Sequence, residues 1–468
     1  MKMYLYLLFL IFIVVCGCAV GPEYKPAKTK LPEKWYPKME GGVVTSKDVK
    51  IKEIVTWWQK LKDPELSKLI DRAVKGNLNV KEALARLKEE RALRKMEKSR
   101  LFPYLDSNVS ITKEKMGGME KTSERFSMGI DASWEADIFG GIRRSIQEAE
   151  ARLEAAKEDL RDVIVSLLAE VAINYVELRT YQARLEAVRS NAEAQDEIYR
   201  LNLSRYRAGL IDELAVQQSR YVLENTRSQI PPLQEGIERA KNRLSVLLGK
   251  NPGVLDNELK SMRPIPVPPV KVVIGIPANT LRNRPDIRRA EMDLVAATYA
   301  VGKAKAELYP KLHLSGSIGL ESLSHGDFLK WASRTWSFGA NIGWKIFHAG
   351  ELRQNVKVYT ARQEQAFLAY QNAILKALEE VRNAIIAYAK EQKRCYSLQQ
   401  AVNAARKTYE LALDRYKAGL VDFTDVLDAE RALQSLQDQL SISKGAVITN
   451  LIRLYKALGG GWQAWKVS

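Results

Sequence analysis

The stretch FSMGIDASWEADI, residues 126–138, alternates without a break. Phe126, Met128, Ile130, Ala132, Trp134, Ala136 and Ile138 are apolar, and each residue between them is polar, acidic or glycine. A period of two puts alternate side chains on opposite faces of an extended strand. The pattern returns at residues 336–345, where Trp336, Phe338, Ala340, Ile342 and Trp344 alternate with Ser337, Gly339, Asn341, Gly343 and Lys345. Weaker versions start at Leu105, with Val109 and Ile111, and at Leu312, with Leu314, Ile318 and Leu320. Alternation over about ten residues with aromatics near the ends fits a membrane strand, lipid on one face and water on the other. A soluble two-sheet sandwich is the competing reading, but it would need more than four such strands in 468 residues. Four strands cannot close a barrel, which takes about eight or more. An open edge in lipid leaves backbone groups unpaired at a cost of several kcal/mol each. Several copies of the chain must therefore pool their strands, and three copies would supply twelve.

The chain is also one unit written twice. YRAGLIDEL at 206–214 and YKAGLVDFT at 416–424 lie 210 residues apart. At a similar offset RLFPYL (100–105) meets ELYPKL (307–312), and Gly249 in LSVLLGK meets Gly459 in YKALGGG. Each unit reads helix, strand, strand, long helix, turn, helix. The first covers residues 63–260, with strands near 104–113 and 125–138 and helices near 64–101, 141–208 and 210–248. The second covers 286–460, with strands near 311–321 and 335–347 and helices near 286–309, 350–418 and 420–458. A Pro-rich linker at 261–285 joins them, residues 18–62 precede them and a tail at 461–468 follows.

Neither Gly nor Pro interrupts the chain between Gly141 and Gly209, or between Gly350 and Gly419. Each segment makes a helix about 100 Å long. Ile146, Leu153, Leu160, Leu167, Tyr181 and Val188 keep a seven-residue period broken only at Asn174. Phe367, Ile374, Val381 and Tyr388 do the same, as do Val426, Leu433, Leu440, Val447 and Leu454. That period means left-handed supercoiling against neighbouring helices. Gly209 and Gly419 permit the left-handed backbone that ends a helix, and Asp212 and Asp422 are placed to cap the returning one. Pro231-Pro232 should break or kink the first returning helix, with Pro232 starting a new piece, whereas Ser441-Ile442 at the matching place should not.

Formal charge is +17 with 28% charged residues, and no dense Lys/Arg block with interleaved aromatics occurs. The excess reads as charge spread over a large surface rather than as a nucleic-acid site. The first residues, MKMYLYLLFLIFIVVCGCAV, carry one cation and a short apolar run, which fits a secretory signal at residues 1–17. VCGC at 15–18 resembles a bacterial lipobox with Cys18 as the modified residue. That resemblance implies a covalent diacylglycerol and an acyl chain on Cys18. Cys395 is then the one other thiol of the mature chain, so no intramolecular disulfide forms. His313, His325 and His348 lack metal-ligand spacing, no phosphate-cradling loop is present, and no catalytic constellation emerges. The chain reads as no enzyme, with neither metal nor soluble cofactor.

CAVGPEYKPA (18–27), WWQKLKDPEL (57–66), LRNRPDIRRAE (281–291), AELYPKL (306–312) and the two Y-x-x-G-L tips, in order on a doubled unit, resemble the TolC-like outer-membrane efflux proteins. Within these the chain is similar to the lipoprotein subgroup of OprM, CusC and NodT. The resemblance implies a mixed, mainly α fold: a homotrimer with a twelve-stranded transmembrane β-barrel, a long periplasmic helical barrel and a mixed equatorial domain. In such folds two shorter helices stack end to end beside each long one. It further implies the passive exit duct of a tripartite pump for drugs or metal ions, working with a periplasmic adaptor and an inner-membrane transporter of the RND type. An outlet for secreted protein, or a coiled-coil lipoprotein without a pore, are the alternatives. By position, Asp425 and Asp428 match the family's constricting acids, and Tyr416 matches a tyrosine that bonds across helices to hold the end shut. Asp425 reads equally as a helix-end charge. Val421 stands where some members carry a basic latch. Gly209, Leu210, Gly419 and Leu420 would meet the adaptor.

Overall fold

The computed structural model describes residues 19–26, 32, 43–45, 52–115, 122–269, 272–274 and 277–465. The expected signal and Cys18 lie outside the described residues, as does the end of the tail. Two compact units form, and each draws on both sequence repeats rather than on one. The first comprises residues up to 29, 85–158 and 288–373, and the second comprises 30–84, 159–287 and 374–468.

The first unit holds a four-stranded antiparallel sheet: β2 (Tyr104–Glu114), β3 (Ser123–Ala136), β5 (Lys311–Ser322) and β6 (Arg334–Gly343), in that spatial order. The pair β3–β5 joins one repeat to the other. Register keeps the alternating faces whole. Ile130 lies opposite Ile318 and Ile318 opposite Trp336; Val109 lies opposite Met128 and Met128 opposite Leu320. On the other face Asp131 sits between Asp106 and Ser317, and hydroxyl pairs Ser110–Ser127 (2.8 Å) and Ser317–Ser337 (2.7 Å) cross between strands. Both faces are largely open, with Leu105, Val109, Ile111, Trp336, Phe338 and Ile342 all exposed. Among the described residues β2 and β6 each have one partner strand, so both outer edges present free backbone groups. The last strand ends at Gly343 rather than 347. Trp344 nevertheless repeats what Trp134 does: their indole N–H groups donate to Leu308 O and Leu101 O, at 3.1 and 3.0 Å.

The helices follow the repeat closely. α3 (Gly141–Arg207) and α8 (Glu351–Lys417) have 67 residues each, and α2 (Leu78–Ser99) and α7 (Pro285–Ala306) have 22 each. The heptad residues Ile146, Leu153, Leu160, Leu167, Ile374, Val381, Tyr388, Val426, Leu433, Leu440, Val447 and Leu454 are buried, while Phe367 is exposed. One expected helix is broken without forewarning, and another breaks beside Pro231-Pro232 as expected. Residues 64–101 form α1 (Pro64–Gly76) and α2, separated at Asn77. Residues 210–248 form α4 (Glu213–Ser228) and α5 (Ile230–Leu247), with Pro231 and Pro232 in the first turn of α5 and Gln229 between. Proline supplies no N–H there, which a first turn does not need. The matching helix α9 (Phe423–Ala457) runs through Ser441-Ile442 unbroken.

In the second unit helix ends are joined. The Asn77 amide donates to Leu247 O (2.8 Å) at the end of α5, while its oxygen accepts from Asn79 N and Val80 N at the start of α2. In the other repeat Arg284, between α6 (Pro277–Asn283) and α7, donates to Ala457 O (2.8 Å) at the end of α9 and pairs with Asp286 and Glu380. Around them lies a core in which Trp57 stacks on Tyr455. There the fully buried Arg179 pairs with Glu65 and donates to Ser261 O. The short strands Val43–Thr45 (β1) and Val272–Ile274 (β4) pair in parallel in this unit. Burial pushes the Tyr175 hydroxyl upward, and its bond to Asp63 adds to that.

Candidate functional site

Two helix reversals form one site in the second unit. At each, the helix closes with the same three bonds: Gly209 N to Tyr206 O and Leu210 N to Arg205 O, against Gly419 N to Tyr416 O and Leu420 N to Arg415 O, with Ala208 and Ala418 completing the set. This is the 6→1 pattern that left-handed glycine permits, and φ is 68° at Gly209 and 73° at Gly419. Beyond the adjacent residues, no described atom lies within 4 Å of where a Cβ would sit on either glycine, so conformation and not crowding selects the residue. Leu210 and Leu420 are 72% and 74% exposed, which helix reversal alone does not require. The turns touch: Arg205 donates to Lys417 O (3.2 Å). A groove of about 710 Å³ opens between them, lined among others by Leu210, Asp212, Lys417, Val421 and Asp422.

The two caps differ. The Asp212 side chain accepts from Ala215 N (3.2 Å), as expected. Asp422 holds the N-cap position with similar backbone angles but makes no side-chain cap bond. Its own carbonyl takes the Asp425 N–H (3.2 Å), so that expectation is corrected: Asp422 caps through its backbone.

Behind the turns α3, α8, α4 and α9 meet on Ile198, Val222, Tyr416, Phe423, Val426 and Leu427. Tyr416 is buried, its hydroxyl donates to Asn202 Oδ1 on α3 (2.8 Å), and its ring lies 5.2 Å from that of Phe423. Asp425 and Asp428 are both exposed, on the side of α9 away from this core. Asp428 has Arg431 at 3.7 Å, one turn on and itself exposed. A fifth acid escaped the sequence reading. Glu430 is 6% exposed and accepts from Gln195 Nε2 on α3 (2.7 Å). Burial raises its pKa, only partly offset by the Gln195 bond, and with Glu430 charged the half-buried Tyr409 hydroxyl is pushed up to about 12, mainly by its own desolvation. Glu430 sits three residues before Leu433 in the heptad, a spacing that points inward, and that was the available signal.

In the first unit the residues that follow Cys18 are pinned. Arg144 on α3, 1% exposed, donates to Val20 O (3.1 Å) and Ala19 O (3.2 Å), and Val20 N donates to Phe139 O (3.1 Å). Ala19 packs so closely on Gly140 that a Cβ there would lie 2.5 Å away. Tyr24 adds a bond to Glu291 (2.8 Å). Among the described residues no three His, Cys, Asp or Glu side chains gather as metal ligands.

Comparison with known proteins agrees with this layout. The family model described as outer membrane efflux protein matches residues 69–250 and 276–460, one stretch in each repeat. Nodulation protein T of Rhizobium leguminosarum bv. trifolii is 30% identical over 456 residues, covering 96% of either chain. The solvent efflux pump outer membrane protein SrpC of Pseudomonas putida is 30% identical, covering 96% of this chain and 97% of that one. The solved structure of the outer-membrane channel OprN superposes with a TM-score of 0.86 at 35% identity, over 95% of this chain and 100% of that one.

Proposed function

This chain belongs to the outer membrane efflux protein family, and from that premise we propose how it serves as the outer-membrane exit duct of an efflux pump. Three copies close the barrel. The free edges of β2 and β6 carry this reading, because in lipid each must find a strand and only another copy offers a matching edge. The polar face of each sheet, with Asp106 and Asp131 in one row, then lines the aqueous pore. Acylation of Cys18 anchors the chain, and the Arg144 clamp on Ala19 and Val20 supports it by fixing the residues next to the lipid at the junction of β3 and α3. Each buried CH₂ of an acyl chain contributes about 0.8 kcal/mol.

The exposed Leu210 and Leu420, on turns of identical backbone, dock the helical hairpin of a periplasmic adaptor. Asp425 and Asp428, unshielded by the core behind them, face the axis, where three copies place six carboxylates that attract cations and repel anions. Tyr416, bonded to Asn202, holds α8 against α3 behind that ring. Conduction is passive and an inner-membrane transporter of the RND type drives it. Small molecules are the cargo class, in keeping with the solvent pump named for a 30%-identical relative.

Channel recording on the purified protein tests this. The wild type should conduct as a heat-modifiable trimer with a preference for cations, and Asp425→Ala with Asp428→Ala should weaken that preference and increase leakage. Unchanged selectivity in the double variant removes the acids from the gate, and a monomer without conductance removes the duct.

A further inference from the structure

The connection between β5 and β6 does not lead away from the sheet. The His325 ring lies 5.5 Å from Phe126 and the Phe328 ring 6.0 Å from it, so residues 325–328 fold back over the strand below. Phe126 shares its face with Met128 and Ile130, so the loop covers the apolar side, which in a closed barrel faces lipid. The loop is tied internally: Ser333 Oγ donates to Asp327 O (2.6 Å) and Lys330 Nζ to Asp327 Oδ1 (2.5 Å). It still leaves Leu323, Leu329 and Trp331 between 68% and 79% exposed.

Arg334 opens β6 opposite Leu320, on the same face as Trp336 and Phe338. Its guanidinium stands 3.2 Å from the Trp331 ring centroid, and its Nε donates to Trp331 O (2.8 Å). Both terminal nitrogens are without a partner among the described residues. Nearby, Lys113 pairs with Glu124 (2.6 Å), Arg125 with Glu321 (2.8 Å) and Lys330 with Asp327, whereas no acid pairs with Arg334 among the described residues. Arg334 is instead preset by an aromatic ring at the edge of an apolar belt.

Water does not favour three exposed large apolar side chains, and hydrocarbon does not favour a guanidinium. The zone between them, at the level of the headgroups, suits both. We propose that Arg334, Trp331 and Leu329 form a binding site for a phosphate-bearing lipid of the outer leaflet. The two free nitrogens of Arg334 grip the phosphate as a fork. Stacking on Trp331 holds that fork in place before the lipid arrives, which lowers the ordering cost of binding. Leu329 and Trp331 enter the acyl boundary. Continuity with the lipid-facing rows of Phe338 and Trp336 favours a lipid over an acidic protein, which would have to sit within the membrane.

The assembled protein is reconstituted in vesicles of equal parts phosphatidylcholine and phosphatidylglycerol, re-extracted in mild detergent, and its retained lipid counted by mass spectrometry. The wild type should retain the anionic lipid preferentially. Arg334→Gln should cut that preference about fivefold, Trp331→Ala should weaken it, Arg334→Lys should keep part of it, and Lys357→Gln, on an exposed helix face, should leave it unchanged. Equal retention by wild type and Arg334→Gln overturns the proposal. So does stabilisation of the detergent-solubilised wild type by inorganic phosphate alone to the same extent as by the lipid, which would make this an ion site. Should Arg334→Gln fail to assemble, the wild type decides: preference for the anionic lipid must fall as salt is raised, and indifference to salt refutes the lipid contact.

Discussion

Helices α3 and α8 have the same length, occupy the same place in their repeats and end in the same turn, yet they live in different surroundings. Of its large apolar side chains α3 exposes only Tyr206, whereas α8 exposes Val358, Phe367, Leu368, Leu375, Tyr396 and Leu411. The buried polar groups fall the other way. α3 buries Arg144, Glu158 and Arg179 with their partners, and α8 buries no charged residue. A helix that is enclosed by its own chain can carry desolvated ions, because fixed partners are available to pair them. A helix at the flank of the chain keeps apolar surface that a neighbouring copy must cover. Duplicated sequence thus diverged by position: the inner copy took on internal polar anchors and the outer copy kept an adhesive stripe.

Charge placed at matching points should break the pair most sharply. Val165 on α3 is 4% exposed and its repeat counterpart Leu375 on α8 is 66% exposed. Val165→Glu should unfold the region, at a cost of about 4 kcal/mol or more. Leu375→Glu should leave circular dichroism intact and yield monomers on size exclusion. A stable Leu375→Glu trimer would mean that the α8 stripe is not the contact between copies. Next in size, Arg179→Met leaves the buried Glu65 with only the half-exposed Arg263, at 3.5 Å, as cation partner and should lower stability by about 3 kcal/mol. Arg394→Met on the exposed side of α8 should cost under about 0.5 kcal/mol in the same thermal melt.

Glu430 lets the comparison be read with pH. Its folded pKa is raised by burial, so the folded form holds this proton more tightly than the unfolded chain does. Stability at the turns should therefore decline as pH rises from about the ordinary 4.5 through the folded pKa, and Glu430→Gln should flatten that decline. Hydrogen exchange around Gln195 across that range measures it, and a decline unchanged by the substitution would assign it to another group. The smallest effect concerns the twin caps. Asp212→Ala should cost about 1 kcal/mol locally, and Asp422→Ala, whose side chain caps nothing, less than about 0.5 kcal/mol. Amide protection at Ala215 and Asp425 separates them.

Much of this fold was legible because periodic patterns report a face without needing its partner. Alternation at residues 126–138 and 336–345 set the strands and their lipid side, and the seven-residue rows of α3, α8 and α9 marked buried positions, apart from the exposed Phe367 and the half-buried Tyr181. The turns were legible too, since Gly209 and Gly419 answer a local backbone demand. The site was only half legible. Leu210 and Leu420 could be named from the repeat and Asp425 and Asp428 only from the family resemblance, but Glu430 bonds to a residue 235 positions away and Tyr416 to one 214 away. Asp422 was misjudged because its cap depends on which oxygen reaches a donor first.

Sequence alone determined that the chain is doubled, that four strands cannot seal a pore, and where each long helix turns back, since periodicity and glycine act within a few residues. Only the tertiary structure decided which copy of the long helix is enclosed, how Asn77 and Arg284 splice helix ends, and that Arg144 grips Ala19 and Val20. Those outcomes depend on polar groups finding partners far along the chain, and local pattern carries no record of that distance.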